Sequence, residues 1–208
     1  MANRRQHIIE AAGDVVYRKG FAATTVDDML RAAGVGKGNF YHYFRSKDDL
    51  GLAIIDEIAK SLNGPSMDEI FSVAKPPLVR LAEYLDLVKR RRHADNCGEP
   101  LANLAVELGH VERFSERIRR AYGVLFDRVE SCIAEYALER GATVDSRFLA
   151  RSFVMRIDGA CLLYKVDSDA AAFDAALAAL VPSVEADVRP PASQQTSPTP
   201  APPLTKAT

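Results

Sequence analysis

The hydrophobic positions of this chain follow a helical period along almost its whole length. Apolar residues recur every three or four positions up to about residue 188, and no segment shows the apolar–polar alternation of a strand. An amphipathic helix begins after Arg5, and glycine and proline divide the rest of the chain. The further predicted helices span residues 25–33, 37–44, 46–62, 66–92 (interrupted at Pro76–Pro77), 98–108, 111–140, 146–166 and 169–188. The pattern therefore predicts an all-α fold of about nine helices.

Residues 25–47 compress two short helices and a tight turn into one stretch. Thr25 is a preferred N-cap residue, and Asp28 three positions later can complete a capping box. Gly34 tolerates the left-handed conformation of a helix C-cap, and a second helix is expected from about Lys37 to Phe44. Short helix, glycine turn and short helix make the helix-turn-helix pattern, whose second helix enters the major groove of DNA.

The second helix carries side chains suited to that task. Phe40 and Phe44 are four positions apart and are expected to face the core. The other faces carry Lys37, Asn39, Tyr41, His42 and Tyr43. Asn can form a bidentate contact with adenine, while Lys, Tyr and His suit phosphate oxygens or base edges. Gly38 removes a side chain where the backbone can approach the duplex closely.

A third helix is predicted to begin directly after this pair. Ser46 is its expected N-cap and Asp49 occupies the capping-box position, so Lys47 lies in the first turn. Both the lysine and the free N–H groups of that turn can meet a phosphate. An isolated match of this kind is equally compatible with a solvated helical hairpin that carries an aromatic cluster.

The whole of residues 4–60 resembles the TetR/AcrR family of transcriptional regulators. The resemblance rests on the first helix, the turn AAGVGKG, the box FYHYF and the run SKDDL that opens the fourth helix. It implies a dimeric repressor with a small N-terminal DNA-binding domain and a larger C-terminal ligand-binding domain. By this resemblance, the positions that touch DNA are Thr25, Lys37, Asn39, Tyr41, His42, Tyr43 and Lys47.

Two positions depart from the family pattern. Asp27 stands where many members carry a cation, so a phosphate contact is not expected there. Asn39 replaces the small Ser, Ala or Thr that is common at its position, so no operator sequence can be carried over from the family.

Charge and composition support a division into domains. Residues 1–47 hold eight Lys or Arg against four acids, whereas the whole chain has a formal net charge of −1. A positive N-terminal module on an acidic body is typical of a protein that presents one end to DNA. We expect a DNA-binding domain at 1–47, a ligand-binding and dimerisation domain at 48–188, and a disordered tail at 189–208, where six of the eleven prolines lie.

Several other classes of protein are not indicated. The three cysteines have no metal-binding spacing, and no Ser-His-Asp elbow or glycine-rich phosphate loop is present. No apolar run approaches the ~18 residues of a membrane span, and the polar N-terminus does not resemble a signal peptide. We therefore expect no cofactor, metal ion, membrane partner or enzymatic activity, and a location in the reducing cytoplasm.

The last two predicted helices are candidates for a homodimer interface. The alanine-rich segment 170–181 permits close approach of a partner, with Phe173, Leu177 and Leu180 as protruding side chains. By resemblance, these helices from two subunits form a four-helix bundle. Taken alone, the same pattern would favour packing within one chain.

A small-molecule effector is expected among the helices of residues 66–166. Candidate lining residues are Tyr84, Val88, Cys97, Leu101, Leu104, Phe126, Phe153, Arg156 and Tyr164. Most of them are also ordinary core positions, since apolar helical stripes normally serve packing. Arg156 and Asp158 stand out because a charge in an apolar helix must be paired or exposed. Arg156 could bind a polar or anionic ligand or form a salt bridge across the dimer.

Two alternatives remain open. Cys97 opens the segment CGEPLANLAVELG, which resembles a subgroup of the family in which some members sense electrophiles or oxidants. A thiol switch at Cys97 would use the same scaffold. A small helical ligand carrier or enzyme that happens to contain a helical hairpin is the alternative from another class.

Overall fold

The computed structural model describes residues 2–189, and all of the regular secondary structure within this range is helical. The helices are α1 (Ala2–Lys19), α2 (Val26–Ala33), α3 (Lys37–Tyr43), α4 (Lys47–Leu62), α5 (Pro65–Ile70), α6 (Pro77–Ala94), α7 (Pro100–Leu108), α8 (Glu112–Glu139), α9 (Ser146–Asp167), α10 (Ala170–Ala178) and α11 (Leu180–Asp187). The predicted all-α fold is confirmed. The predicted tail lies outside the described residues from position 190 onward.

The last predicted helix is divided in two. α10 ends at Ala178 and α11 begins at Leu180, with Ala179 between them. Pro182 explains the break, because it has no N–H to donate to the Ala178 carbonyl and its ring would clash with that carbonyl. The predicted helical segment 66–92 is also interrupted, and its first helix ends before Pro76, at Phe71. The Phe71 and Tyr84 ring centroids are 5.7 Å apart.

A first hydrophobic cluster, here called the N-terminal cluster, joins the first four helices to α7 and the beginning of α8. From the first four helices and the segments between them it includes Ile8, Ile9, Ala12, Val16, Phe21, Met29, Leu30, Phe40, Phe44, Leu50, Ile54 and Ile55. From α7 and α8 it includes Leu101, Leu104, Leu108, Phe114 and Ile118. The core of the helix-turn-helix module is therefore continuous with two helices of the larger body.

A second cluster, the C-terminal cluster, is built from α5, α6, the remainder of α8, and α9 to α11. Arg80 of α6 is buried as well, with a side chain that is only 2% exposed. The guanidinium donates to both carboxylate oxygens of Glu135 at 2.8 and 2.7 Å and to the Lys75 carbonyl at 2.7 Å. This pairing offsets the cost of burying the charge. No helix within residues 2–189 is long and apolar enough to cross a membrane.

Candidate nucleic-acid interface and effector cavities

Local hydrogen bonds form the first helix of the motif. The Thr25 hydroxyl accepts from the Asp28 amide at 3.1 Å, and the Asp28 carboxylate accepts from the Thr25 amide at 2.9 Å. The hydrogen bond from Lys19, with those from Thr25, lowers the pKa of Asp28, so the capping carboxylate stays ionised. Gly34 ends the helix with φ = 63°, in the left-handed region. The predicted capping box and glycine cap are confirmed.

The second helix of the motif, α3, turns its aromatic side inward. Phe40 and Phe44 are 0% and 2% exposed and belong to the N-terminal cluster, as predicted. The opposite side is exposed, and we call it the recognition face. It consists of Lys37, Gly38, Asn39, Tyr41 and His42. Tyr43 is half-buried, with its ring 4.7 Å from that of His42, so it lies at the margin of this face.

Gly38 lies on open surface rather than in a packed contact. A Cβ atom at this position would meet nothing within 4 Å in the chain. Internal packing therefore does not require a glycine here. The missing side chain lets another molecule approach the backbone of α3 closely.

An acidic residue, Asp27, lies beside the recognition face. The Asp27 carboxylate is 3.3 Å from the ammonium of Lys37, and both side chains are largely exposed. An ion pair of this kind is weak in water. Its main effect is to place a negative charge beside the lysine.

Lys47 is held by the α1–α2 loop. Its ammonium lies 4.4 Å from the centre of the Phe21 ring and 3.4 Å from the Ala22 carbonyl oxygen. Ser46 caps α4 by accepting from the Asp49 amide at 3.1 Å, as predicted. Together with the Asp27–Lys37 pair, these contacts bring the N-terminal ends of α2, α3 and α4 to one end of the module.

Two cavities that are partly open to solvent lie near the expected effector region. The larger, about 380 Å³, lies among α1, α4, α5, α6 and the loop before α7, and Tyr84 and Val88 are in its wall. The smaller, about 200 Å³, lies among α1, α4 and α7 and includes Leu104. Three of the nine predicted effector residues thus line these cavities.

The other six predicted effector residues lie elsewhere. Leu101 and Phe153 are core side chains, each 2% exposed. The rings of Phe126 and Tyr164 stack on Tyr122 and Phe173, respectively. Cys97 is half-buried, and Arg156 is exposed and donates to the Ser183 hydroxyl at 2.6 Å. Their role in effector binding stays a prediction.

Residues that the sequence did not single out connect the body to the helix-turn-helix module. The Tyr17 hydroxyl lies 2.6 Å from the Asp95 carboxylate and 2.8 Å from the Gly98 carbonyl oxygen. The two carboxylate oxygens of Glu107 accept from the backbone amides of Phe21 and Ala22, at 3.0 and 2.7 Å. Glu107 is the only charged residue of α7. A lone charge in such a helix is the sequence feature that could have pointed to a contact with another element.

The structure combines a capped two-helix unit, which has an exposed polar recognition face, with an all-helical body. These features define a helix-turn-helix DNA-binding protein. The family profile described as "Bacterial regulatory proteins, tetR family" matches residues 8–54. An uncharacterised HTH-type transcriptional regulator of the lacX 3' region of Lactococcus lactis is 32% identical over 174 residues, covering 81% of this chain and 87% of that protein. This chain belongs to the TetR family of transcriptional regulators.

A second relative and a solved structure are similar over most of the chain. The HTH-type transcriptional repressor DhaR of Mycobacterium sp. is 27% identical over 193 residues, covering 87% of this chain and 94% of that protein. The crystal structure of regulatory protein TetR from Rhodobacter sphaeroides has a TM-score of 0.77 and 26% identity, covering 85% of this chain and 96% of that one. The relatives are regulators of transcription rather than enzymes.

Proposed function

We propose that two copies of this chain bind a palindromic DNA operator and repress transcription until a small-molecule effector releases them. The observation that carries the proposal is the recognition face of α3, which is exposed although the rest of its helix is anchored in the core. Because its partner is chromosomal DNA, the proposed place of action is the cytoplasm. Repression itself is supported by the named function of the relative DhaR.

The recognition face supports contact with both bases and phosphates. Asn39 is exposed and can read adenine through its amide, and Tyr41 is 59% exposed. Thr25 and Lys47 lie at the same end of the module, where phosphate contacts would fix its position on the duplex. In the proposed division, residues 1–47 form the DNA-binding domain and residues 48–188 the effector and dimer domain.

The proposed dimer uses an apolar stripe along α9. Its exposed members are Phe148 (63%), Met155 (59%), Leu162 (56%), Leu163 (63%) and Val166 (76%). Gly159 lies between them, and a Cβ there would meet nothing within 4 Å in the chain. A contiguous apolar stripe of this size on a surface is typical of an interface between proteins. A two-fold dimer would place two recognition helices in successive major grooves.

One detail of the predicted interface was wrong. Phe173, Leu177 and Leu180 do not protrude towards a partner, because each is at most 3% exposed and belongs to the C-terminal cluster. The exposed side of α10 consists of alanines instead, among them Ala172, Ala175 and Ala176. The proposed contact therefore combines larger side chains of α9 with the small residues of α10.

The route for release runs through α4 and α7. Arg113 and Arg117 of α8 form ion pairs with Asp48 and Asp56, which hold α4 along α8. Glu107 of α7 holds the α1–α2 loop, as described above. An effector that changes the position of α7 would shift α4 and the recognition helices away from the groove spacing.

Selection of DNA from a random pool tests the proposal directly. The purified chain is expected to recover a palindrome whose half-sites are about one helical turn apart, or a multiple of it. Asn39→Ala should relax the preference at one base position in each half-site, whereas Lys47→Ala should weaken binding to all sequences alike.

Two outcomes would contradict the proposal. Failure to bind any duplex at low ionic strength would favour the helical carrier or enzyme, since phosphate contacts are strongest at low salt. Equal losses on all sequences for both variants would remove the base-reading role of Asn39.

A further inference from the structure

The smaller of the two cavities lies where the helix-turn-helix module meets the body, and we call it the junction cavity. Its volume is about 200 Å³. Its wall comes from α1, α4 and α7. Because α1 belongs to the module and α7 to the body, a molecule in this cavity would contact both.

Buried apolar side chains form much of the wall. Val16, Ile54 and Leu104 are 4%, 5% and 4% exposed and belong to the N-terminal cluster. Ile58 and Pro100 are half-buried and extend the same apolar surface. A wall of this kind favours an apolar ligand, because binding removes apolar surface of both partners from water.

Three polar side chains of the wall are already paired within the chain. Tyr17 and Glu107 make the hydrogen bonds described above. The Asn103 side chain donates to the Cys97 carbonyl at 2.7 Å and accepts from the Lys165 ammonium at 3.4 Å. These groups therefore serve the fold and are not free to select a polar ligand.

The fourth polar residue of the wall, Asp14, is exposed to solvent, so water hydrates its carboxylate. The larger cavity differs, because Arg91, Arg92, Asp95 and Glu99 all line it and both signs of charge occur there. In the junction cavity an ionised ligand would lose water without gaining a buried counter-charge, which is unfavourable. The wall thus favours a neutral ligand.

Gly13 of α1 leaves room in the cavity wall. Glycine is less favourable than alanine inside a helix. A Cβ atom at this position would lie 3.9 Å from Cγ2 of Ile54, an ordinary van der Waals distance, so packing would accept alanine. The glycine lines the junction cavity, and a larger side chain there would occupy its space.

The volume of the junction cavity limits the size of the ligand. At about 200 Å³ it is smaller than the roughly 300–1,000 Å³ of pockets for drug-sized ligands. An apolar cavity of about 150 Å³ is large enough to bind benzene. One ring with a small substituent therefore matches the space.

We infer that the effector is a small, neutral, apolar molecule, about the size of one substituted ring, which binds in the junction cavity. The inference rests on the proposed function, since it names the class of effector and the place where it acts. Such a molecule would contact Ile54 and Ile58 of α4 on one side and Leu104 of α7 on the other. It would therefore act on the two helices through which the proposed release runs.

Three probes that share one ring test the inference by calorimetry on the full chain without DNA. They are toluene, benzylamine and benzoate, which are neutral, cationic and anionic at neutral pH. We expect toluene to bind at least about tenfold more tightly than either charged probe, because the cavity does not offset the desolvation of a charge.

Substitutions of Gly13 test the place of binding. Gly13→Val puts a branched side chain into the junction cavity and should abolish toluene binding. Gly13→Ala should weaken toluene binding several-fold and raise the melting temperature, since alanine is the better helix former. The alanine variant keeps the test decisive even if the valine variant does not fold.

The matched controls are Gly123→Val and Gly123→Ala. They make the same changes inside α8, at a position where a Cβ atom would meet nothing within 4 Å in the chain. Both controls should bind toluene as the native chain does.

Operator affinity is then measured with and without saturating toluene, on DNA selected from the random pool. Affinity should fall at least about threefold in the native chain and in Gly123→Ala, and it should not change in Gly13→Val, since a ligand acts on DNA binding only where it binds.

Four outcomes would each overturn the inference. They are equal or tighter binding of a charged probe, no binding of toluene near its solubility limit, undiminished binding in Gly13→Val, and an operator affinity that bound toluene leaves unchanged. A chain that binds DNA but not toluene contradicts only this inference, whereas one that binds toluene but no duplex contradicts only the proposed function.

Discussion

At the scale of single residues, electrostatics near the recognition face is the property most open to test. Asp27 is 63% exposed in its side chain and lies 3.3 Å from Lys37. The carboxylate both neutralises the lysine and repels the phosphates of an approaching duplex. A helix N-terminus and a cation would otherwise attract DNA at this position.

Asp27→Asn should therefore tighten operator binding. The substitution removes one negative charge and frees Lys37 for a phosphate, so we expect a several-fold lower Kd at low salt. The slope of log K against log salt should become steeper by about one. Fluorescence anisotropy across a salt series measures both. Asp86→Asn, on the exposed face of α6, is the matched control. An unchanged slope would show that Lys37 does not reach a phosphate.

Cys97 is the most accessible of the three thiols. Burial raises the pKa of Cys132 to about 11 and that of Cys161 to about 12, which suppresses the reactive thiolate at both. A maleimide is thus expected to label one cysteine per native chain, and none in Cys97→Ser, as counted by mass spectrometry.

The same labelled protein tests the thiol-switch alternative. If Cys97 only packs, alkylation leaves operator affinity unchanged in a gel shift. The thiol switch would be supported over release by a reversible ligand if alkylation abolishes the gel shift of the native chain but not that of Cys97→Ser.

Asp158 makes stability depend on pH. Because its pKa is raised from 3.8 to about 7, the folded chain binds this proton more tightly than the unfolded chain does. That contribution to stability is complete below the unfolded pKa and is lost as the pH rises through about 7. Burial is the main cause of the raised pKa, the charge of Glu99 adds to it, and the hydrogen bond from the Tyr122 hydroxyl opposes it.

Asp158→Asn should remove this loss. Relative to the native chain, the variant should gain stability between pH 5 and pH 8, by about 1.4 kcal/mol for each pH unit between pH 5 and the raised pKa of about 7. Thermal unfolding at the two pH values measures it, with Asp86→Asn as control. If the stability difference between Asp158→Asn and the native chain is the same at both pH values, Asp158 is ionised in the folded chain throughout this range.

At the scale of elements, α7 connects the body to the helix-turn-helix module at both of its ends. The loop before it accepts the Tyr17 hydroxyl at Gly98, and Glu107 in its last turn holds Phe21 and Ala22. Gly20 permits this contact, because its φ of 89° suits glycine and a Cβ would lie 2.9 Å from a Glu107 oxygen. The α1–α2 loop is therefore anchored to α7.

Glu107→Ala should loosen that connection. Two backbone amides lose a charged acceptor, so we expect a loss of about 1–3 kcal/mol in unfolding free energy. Operator binding should weaken as well, because the same loop positions Lys47. Thermal unfolding and anisotropy measure the two effects, with Glu139→Ala as control. Native stability and affinity in Glu107→Ala would show that the contact does not couple the elements.

At the scale of the whole molecule, the α9 stripe is the proposed dimer interface, which would set the spacing of the two recognition helices. Leu163→Glu places a charge in the proposed interface, whereas Leu138→Glu places one on α8 at a comparably exposed position, 81% against 63%. Both variants should keep the native helix content, since neither side chain is buried.

Only Leu163→Glu should produce monomers in analytical ultracentrifugation. Its affinity for a palindrome should fall at least about tenfold, because each chain then binds one half-site alone. Native dimerisation in Leu163→Glu would place the interface elsewhere on the chain.

Much of the local structure was predictable from the sequence. The Thr25–Asp28 capping box, the Gly34 cap and the inward Phe40–Phe44 pair each depend on residues at most four positions apart. Periodicity and capping chemistry report such contacts directly. The inward direction of Phe173 was not predictable, because an alanine-rich helix offers similar faces to its own core and to a partner.

By itself, the sequence determined the helical architecture, the helix-turn-helix module and the composition of its recognition helix. Only the tertiary structure decided which side chains meet across the fold. Tyr17 reaches Gly98, Glu107 reaches Phe21, and Tyr122 reaches Asp158, over separations of 81, 86 and 36 residues. The physical reason is that capping and periodicity act within a few residues, whereas these contacts depend on how whole helices pack against one another.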